Sequence, residues 1–195
     1  MIILASKSQL RKLIIEASGL PYKVVTKEVD ERSIEDANPT KTAEEIVEML
    51  ARTKANAVAN NFVNNPVIAA DTFAVLPDGT RLHKAKSLEE SIKLSLRQSG
   101  KTITVNTGTA IAYKDKLMTS LTTTKITYLP FDEQTIRYLF QLNQSAQRRN
   151  AALGFFIDAP GFTLVERIDG SYLGAMGLPM EKVRQQLVEL GYNGD

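Results

Sequence analysis

The chain has 195 residues, 43% hydrophobic and 24% charged, which places it at the globular average and away from the low-hydrophobicity, high-charge corner of disordered chains. Its formal net charge is only +2, from 24 basic and 22 acidic residues, so no overall field favours nucleic acid or a membrane surface, and any attraction to phosphate has to be local. With no cysteine and a single histidine, His83, thiolate catalysis, disulfides and cysteine or multi-histidine zinc sites are excluded; a metal would need oxygen ligands, which points to Mg²⁺ or Mn²⁺.

The chain opens on the apolar run Ile2-Ile3-Leu4-Ala5, suited to a buried strand. After Ser6-Lys7-Ser8, Leu10, Leu13, Ile14 and Ala17 recur at helical spacing until Gly19 stops them. Tyr22 to Thr26 reads as a second strand. It empties into an acidic, polar stretch, Asp30 to Lys41, with Pro39 and no apolar period, which reads as a functional loop. From Thr42 to Asn60 the positions Ile46, Val47, Leu50, Ala51, Ala55 and Val58 form one apolar stripe on a long helix, with Thr42 or its neighbour as cap, Glu44-Glu45 in the first turn and Lys54 near the middle. Pro66 then introduces Val67-Ile68-Ala69-Ala70, a run typical of a strand buried on both faces, with Asp71 at its end. Beyond the turn Pro77-Asp78-Gly79, a helix is expected over Ser87 to Gln98, closed by Ser99-Gly100. Two β runs, Thr102 to Tyr113 and Leu117 to Tyr128, joined at Lys114-Asp115-Lys116, predict a long antiparallel hairpin. A helix from Asp132 to Leu142, a strand from Phe162 to Ile168 and a helix from Pro179 to Leu190 complete the map.

Strand–helix segments at both ends with a hairpin between them describe an α/β fold with a mixed sheet, not a regular dinucleotide-binding succession, and no Gly-rich phosphate loop is present. The length suits one domain over residues 1–195, or one domain pinched into two lobes. No apolar stretch approaches the ~20 residues that span a bilayer. The start is too short and wrongly ordered for a signal peptide, so a cytoplasmic protein is expected. The hairpin from Thr102 to Tyr128 offers an interface for a homodimer.

Asp71 is the most informative position. A carboxylate after four apolar strand residues costs several kcal/mol if buried and unpaired, so it either caps the next turn with Thr72 or faces a cleft, a metal or a cation. Asp30-Glu31 is either a solvated acidic pair or a source of hard ligands that join Asp71 around a divalent ion. Lys54 and Lys84 are either solvated surface lysines or cations that neutralise phosphate. Ser6-Lys7-Ser8 leads a strand into a helix N-terminus, where free N–H groups and the helix dipole make an anion site; Arg11, one turn on, adds a bidentate phosphate contact. Simple N-capping by Ser6 or Ser8 is compatible with that reading.

Taken in order, these segments resemble the Maf family of nucleotide pyrophosphatases, also described as septum formation proteins, over nearly the whole chain. LASKSQLRKLI is similar to the family's L-A-S-x-S-P-R-R-x-x-L-L, Val29-Asp30-Glu31 to its acidic loop, Ala51-Arg52-Thr53-Lys54-Ala55 to its L-A-x-x-K-A helix, and VIAADT to V-I-G-A-D-T. His83-Lys84-Ala85 stands where the family has G-K-P, with Glu89-Glu90 following. Ser99-Gly100, Thr107-Gly108 and Asp169-Gly170-Ser171-Tyr172 with Gly177-Leu178-Pro179 correspond to the later blocks. The resemblance implies a two-lobed, mixed-sheet fold of the Maf and inosine-triphosphatase kind with a central cleft. It implies hydrolysis of a nucleoside triphosphate, standard or modified, at the α–β anhydride to a monophosphate and pyrophosphate. Asp71 would be the general base or metal-bound activator of water, and Glu31 with Asp71 would hold Mg²⁺ or Mn²⁺. Lys54 and Lys84 would bind the triphosphate, and Ser6, Ser8, Arg11 and Thr72 would line the substrate site.

The departures from the family cluster. Gln9 and Leu10 replace the proline and first arginine of P-R-R, while Ala151 and Asp158 replace the lysine and glutamine of D-K-A-G-x-Y-x-I-Q-G. Two donors are lost and an acceptor gained, so Leu10 and Asp158 are where base preference would differ from relatives. Because Glu31, Lys54, Asp71 and Lys84 are retained, altered specificity is expected rather than lost activity. A nucleotide-binding cell-division regulator with weak turnover and an inosine-triphosphatase type of enzyme are the alternatives.

Overall fold

A computed structural model describes residues 1–142 and 161–194 of the chain. In chain order it contains β1 (Ile2–Leu4), α1 (Gln9–Ala17), β2 (Tyr22–Val24), α2 (Glu31–Asp36), α3 (Ala43–Ala59), β3 (Val67–Val75), β4 (Arg81–Leu82), α4 (Leu88–Leu96), β5 (Thr102–Tyr113), β6 (Lys116–Tyr128), α5 (Glu133–Leu142), β7 (Val165–Asp169), α6 (Tyr172–Ala175) and α7 (Met180–Glu189). Seven strands pair in the order β2-β1-β3-β5-β6-β7, with β4 on β3. β1 runs parallel to β2 and β3, whereas β4 is antiparallel to β3 and β7 to β6, so the sheet is mixed and the class is the expected α/β.

The chain divides into two compact units, one built from Met1–Thr72, Asn106–Thr122 and Tyr172–Asp195, the other from Phe73–Val105 and Thr123–Ser171. Within the first, strand alternation sorts side chains into two cores. Ile2, Leu4, Ile68 and Ala70 pack with Ile14 and Ile15 of α1 and with Met180, Val183 and Leu187 of α7. Ile3, Ala5, Val67 and Ala69 pack instead with Ala51, Ala55 and Val58 of α3. The apolar stripe expected for α3 is buried in full, and a capping box starts the helix: Glu45 N–H donates to Thr42 Oγ1 at 3.3 Å and Thr42 N–H to Glu45 Oε2 at 2.8 Å. α3 also lies close against β5 at Gly108, where a Cβ would meet the backbone of Val47 and would stand 2.6 Å from Glu48 N, so no larger residue fits. In the second unit Arg137 of α5 makes a bidentate contact with Glu89 of α4, at 2.9 and 2.8 Å.

Four readings of the sequence are corrected. The stretch from Asp30 to Lys41 contains α2, a six-residue helix that buries none of its residues and therefore leaves no apolar period to read. Asp71 lies inside β3, which continues to Val75 and pairs there with the two-residue β4. The segment expected as a strand from Phe162 begins as a 3-10 turn, Gly161–Leu164, and becomes strand only at Val165. In α1 the buried pair is Ile14 and Ile15, and Leu13 and Ala17 are exposed. No helix among the described residues is long and apolar enough to cross a membrane.

Candidate active site

The alternation that builds the two cores also decides what the end of VIAADT does. Val67, Ala69 and Asp71 share one face of β3 and look toward α3; Ile68, Ala70 and Thr72 share the other and look toward α1. On α3, Lys54 lies three residues after Ala51 and four before Val58, so it emerges on the buried stripe. Its ammonium meets Asp71 Oδ1 in a short hydrogen-bonded ion pair and lies 2.9 Å from Glu31 Oε1. The side chains of Lys54 and Asp71 are only 15% and 9% exposed, that of Glu31 48%, so the strong electrostatic partner is Asp71. Asp71 Oδ2 is buried and has no hydrogen-bond partner among the described residues. Glu31 reaches Lys54 from the first residue of α2, while Asp30 is the N-cap of that helix, accepting from Ser33 N–H at 3.0 Å and from Ser33 Oγ–H at 2.7 Å. Those bonds hold the Asp30 carboxyl below the usual aspartate range, the Ser33 backbone contributing most. Of the acidic pair, one residue caps and the other meets the lysine.

On the opposite face of β3 stands Arg11, brought there because it precedes Ile14 and Ile15 by one helical turn. Its Nε–H donates to Gly177 O at 2.8 Å, one terminal nitrogen to Ser6 Oγ at 3.3 Å and the other to Thr72 Oγ1 at 3.1 Å. Burial lowers the pKa of Arg11, and the fields of Asp71 and then Glu31 oppose that shift; a guanidinium stays charged throughout. Ser8 is the N-cap of α1, accepting from Arg11 N–H at 3.5 Å, and its own N–H donates to buried Ser6 Oγ at 3.2 Å. Capping by Ser8 is thus observed, and it is compatible with the anion-site reading of this loop.

Seven residues expected at the site thus come together in the first unit: Ser6, Ser8, Arg11, Glu31, Lys54, Asp71 and Thr72. Leu10 is half-buried on α1 in the same unit. Lys84 belongs to the second unit and is exposed just beyond β4. Asp158, with Ala151, lies outside the described residues. Sequence reasoning missed as site residues Gly177, whose carbonyl accepts from Arg11, and Thr107, which bonds Gly174 O and Thr72; the signal available was that both stand in blocks shared with the family.

Glu31 and Asp71 are the residues able to hold a divalent ion. Among the described residues no group of three His, Cys, Asp or Glu side chains is placed to hold a metal. Two carboxylates, one with a buried and unpartnered oxygen, suit Mg²⁺, which typically takes one or two protein carboxylates and completes its shell with water and substrate phosphate.

The site is thus a lysine–carboxylate cluster on one face of β3 and a half-buried arginine on the other, in a mixed α/β fold. The family model described as Maf-like protein matches residues 1–190, and the chain belongs to that family. Among curated relatives, a dTTP/UTP pyrophosphatase of Bacillus velezensis is 31% identical over 188 residues, covering 96% of this chain and 95% of the relative. Proteins of the same description from Symbiobacterium thermophilum and Bacillus cereus are 30% and 34% identical, covering 98% and 95% of this chain and 94% and 88% of the relatives. Among solved structures, the Staphylococcus aureus Ham1 protein is similar at a TM-score of 0.41 and 18% identity, over 65% of this chain and 71% of that one.

Proposed function

We propose that this protein is a nucleoside triphosphate pyrophosphatase that hydrolyses the α–β phosphoanhydride to a nucleoside monophosphate and pyrophosphate. The observation that carries the reading is the pairing of Lys54 with buried Asp71 and with Glu31, within the unit that also holds Arg11. It is supported by family membership and by relatives described as dTTP/UTP pyrophosphatases.

Water attacks the α-phosphorus, its oxygen bonds to phosphorus, the bond to the bridging oxygen breaks and pyrophosphate leaves. Asp71 is the general base or, with an ion bound, the activator of that water, while its Oδ1 meets Lys54. Lys54 pairs with the Asp71 carboxylate and offers its remaining N–H groups to a phosphoryl oxygen, where charge builds in the transition state. Arg11, with Ser6 beside it, binds the phosphate chain, and Lys84 is the further cation that the family resemblance supplies. A divalent ion held by Glu31 and Asp71 would polarise the phosphoryl oxygens and offset their charge. dTTP and UTP are the first substrates to test, and Leu10 and Asp158 are the positions from which a different base preference would arise.

Asp71→Asn tests the assignment. It keeps the side chain's shape but removes the base, and pyrophosphate release from the best nucleotide of a panel is expected to fall about 10²–10⁴-fold, the range that general-base removal costs. Full activity in that variant, with dTTP, UTP or any other member of the panel, would overturn the catalytic role.

A further inference from the structure

Thr107 of β5 is completely buried, and its hydroxyl touches two groups: the carbonyl of Gly174 at 2.8 Å and Thr72 Oγ1 at 3.0 Å. A carbonyl only accepts, so the one Thr107 hydroxyl proton points at Gly174 O. In the contact between the two threonines, Thr72 must then be the donor. With its proton committed to Thr107, Thr72 turns lone pairs toward Arg11, whose terminal nitrogen donates to it at 3.1 Å. The whole relay has one allowed direction, from Arg11 through Thr72 and Thr107 to the backbone of α6.

We infer that Thr107 is a positioning residue for substrate binding: it orients the Thr72 hydroxyl and thereby sets the guanidinium of Arg11 toward the phosphate chain. The inference depends on Arg11 being a phosphate ligand, as proposed above. Two consequences follow for the site. Thr72 is an acceptor for Arg11 and has no proton to give a phosphate. Ser6 Oγ accepts from Arg11 and from Ser8 N–H, and among the described residues its own proton has no acceptor. With Nε on Gly177 O and one N–H each on Ser6 and Thr72, two of the five guanidinium donors are left over by the described residues. Gly177 completes the clamp. Its φ of +98° suits glycine, and a Cβ there would stand 3.2 Å from Thr72 Oγ1 and 3.4 Å from Arg11 Nε, so only glycine delivers that carbonyl without crowding the relay.

The test compares Thr107→Val, which keeps the shape and removes the hydroxyl, with Thr107→Ser, which restores it. In solution NMR the Nε–H of Arg11, assigned by its loss in Arg11→Lys, reports how firmly the guanidinium is held, without any substrate. Hydrogen exchange of that group is expected to speed up about tenfold in Thr107→Val and to return in Thr107→Ser, the size of effect that one hydrogen bond to a charged group carries. In steady-state assays with the best nucleotide, KM rises about tenfold in Thr107→Val while kcat changes much less, the pattern of lost uniform binding. In an Arg11→Ala background, Thr107→Val adds nothing to KM. Should Thr107→Val fail to fold, Thr72→Val interrupts the same relay and is read in the same way. Unchanged Nε–H exchange overturns the inference, as does a KM effect that survives at full size without Arg11. A wild-type protein that releases pyrophosphate from no nucleotide sinks the proposed function, and the exchange comparison then decides the positioning of Arg11 by itself.

Discussion

Lys54 answers two carboxylates with one ammonium, and the two pairs are unequal. Glu31 is nearly half exposed and solvent screens its share, whereas the Asp71 side chain is 9% exposed and would be left as a buried charge if the lysine were removed. Lys54→Met is therefore expected to lower stability by about 3–5 kcal/mol, the usual cost of breaking a buried pair from one side, measured by urea unfolding. The same substitution frees both carboxylates for a cation. Mn²⁺ without nucleotide should accordingly raise the melting temperature of Lys54→Met more than that of the wild type; an equal response would mean that the lysine does not sit on the metal's ligands. One position along β3 the partner changes completely, because Thr72 faces the other side of the strand and meets Arg11.

The short helix α2 begins at Glu31, and its cap is Asp30. The folded pKa of Asp30 is lowered, chiefly by the Ser33 backbone N–H and then by the Ser33 hydroxyl. The cap's contribution is thus fully present above the ordinary aspartate value of ~3.9 and is lost as pH falls through the lower folded value. At neutral pH, Asp30→Ala should reduce pyrophosphate release several-fold with little change in melting temperature, since α2 buries none of its residues, whereas Asp30→Asn keeps an acceptor and should retain activity. The stability difference between wild type and Asp30→Ala should vanish in acid, as followed by circular dichroism between neutrality and the acid limit of folding. A difference that persists undiminished at low pH would mean that the carboxylate form does not cap the helix.

For the molecule as a whole, a ligand that binds only the native state adds stability by linkage, about 2.7 kcal/mol at a hundred times Kd, which for a chain of this size shifts the melting temperature by roughly 5–10 °C. A triphosphate nucleotide should produce that shift in the wild type and a smaller one in Arg11→Ala; equal shifts would remove Arg11 from the binding site. With two compact units, the transition is to be checked for coincidence between probes before it is treated as two-state. Much of the fold was legible in the chain. The α3 stripe, the β5 and β6 runs and the α/β class followed from apolar periodicity, because burying a helix stripe or a strand face constrains residue type at fixed spacing. The short elements were not legible: α2, α6 and β4 bury too little to leave a period. The site was legible as separate residues, through the order of motifs and their family resemblance. Only the tertiary structure decided that Asp71 and Thr72, adjacent in sequence, serve opposite faces of β3, that Asp30 caps while Glu31 meets Lys54, and that Gly177 and Thr72 hold Arg11 while Thr107 meets Thr72. The physical reason is that hydrogen-bond partners far apart in the chain carry no local signal, and their distances and directions are set by which strands and helices pack together.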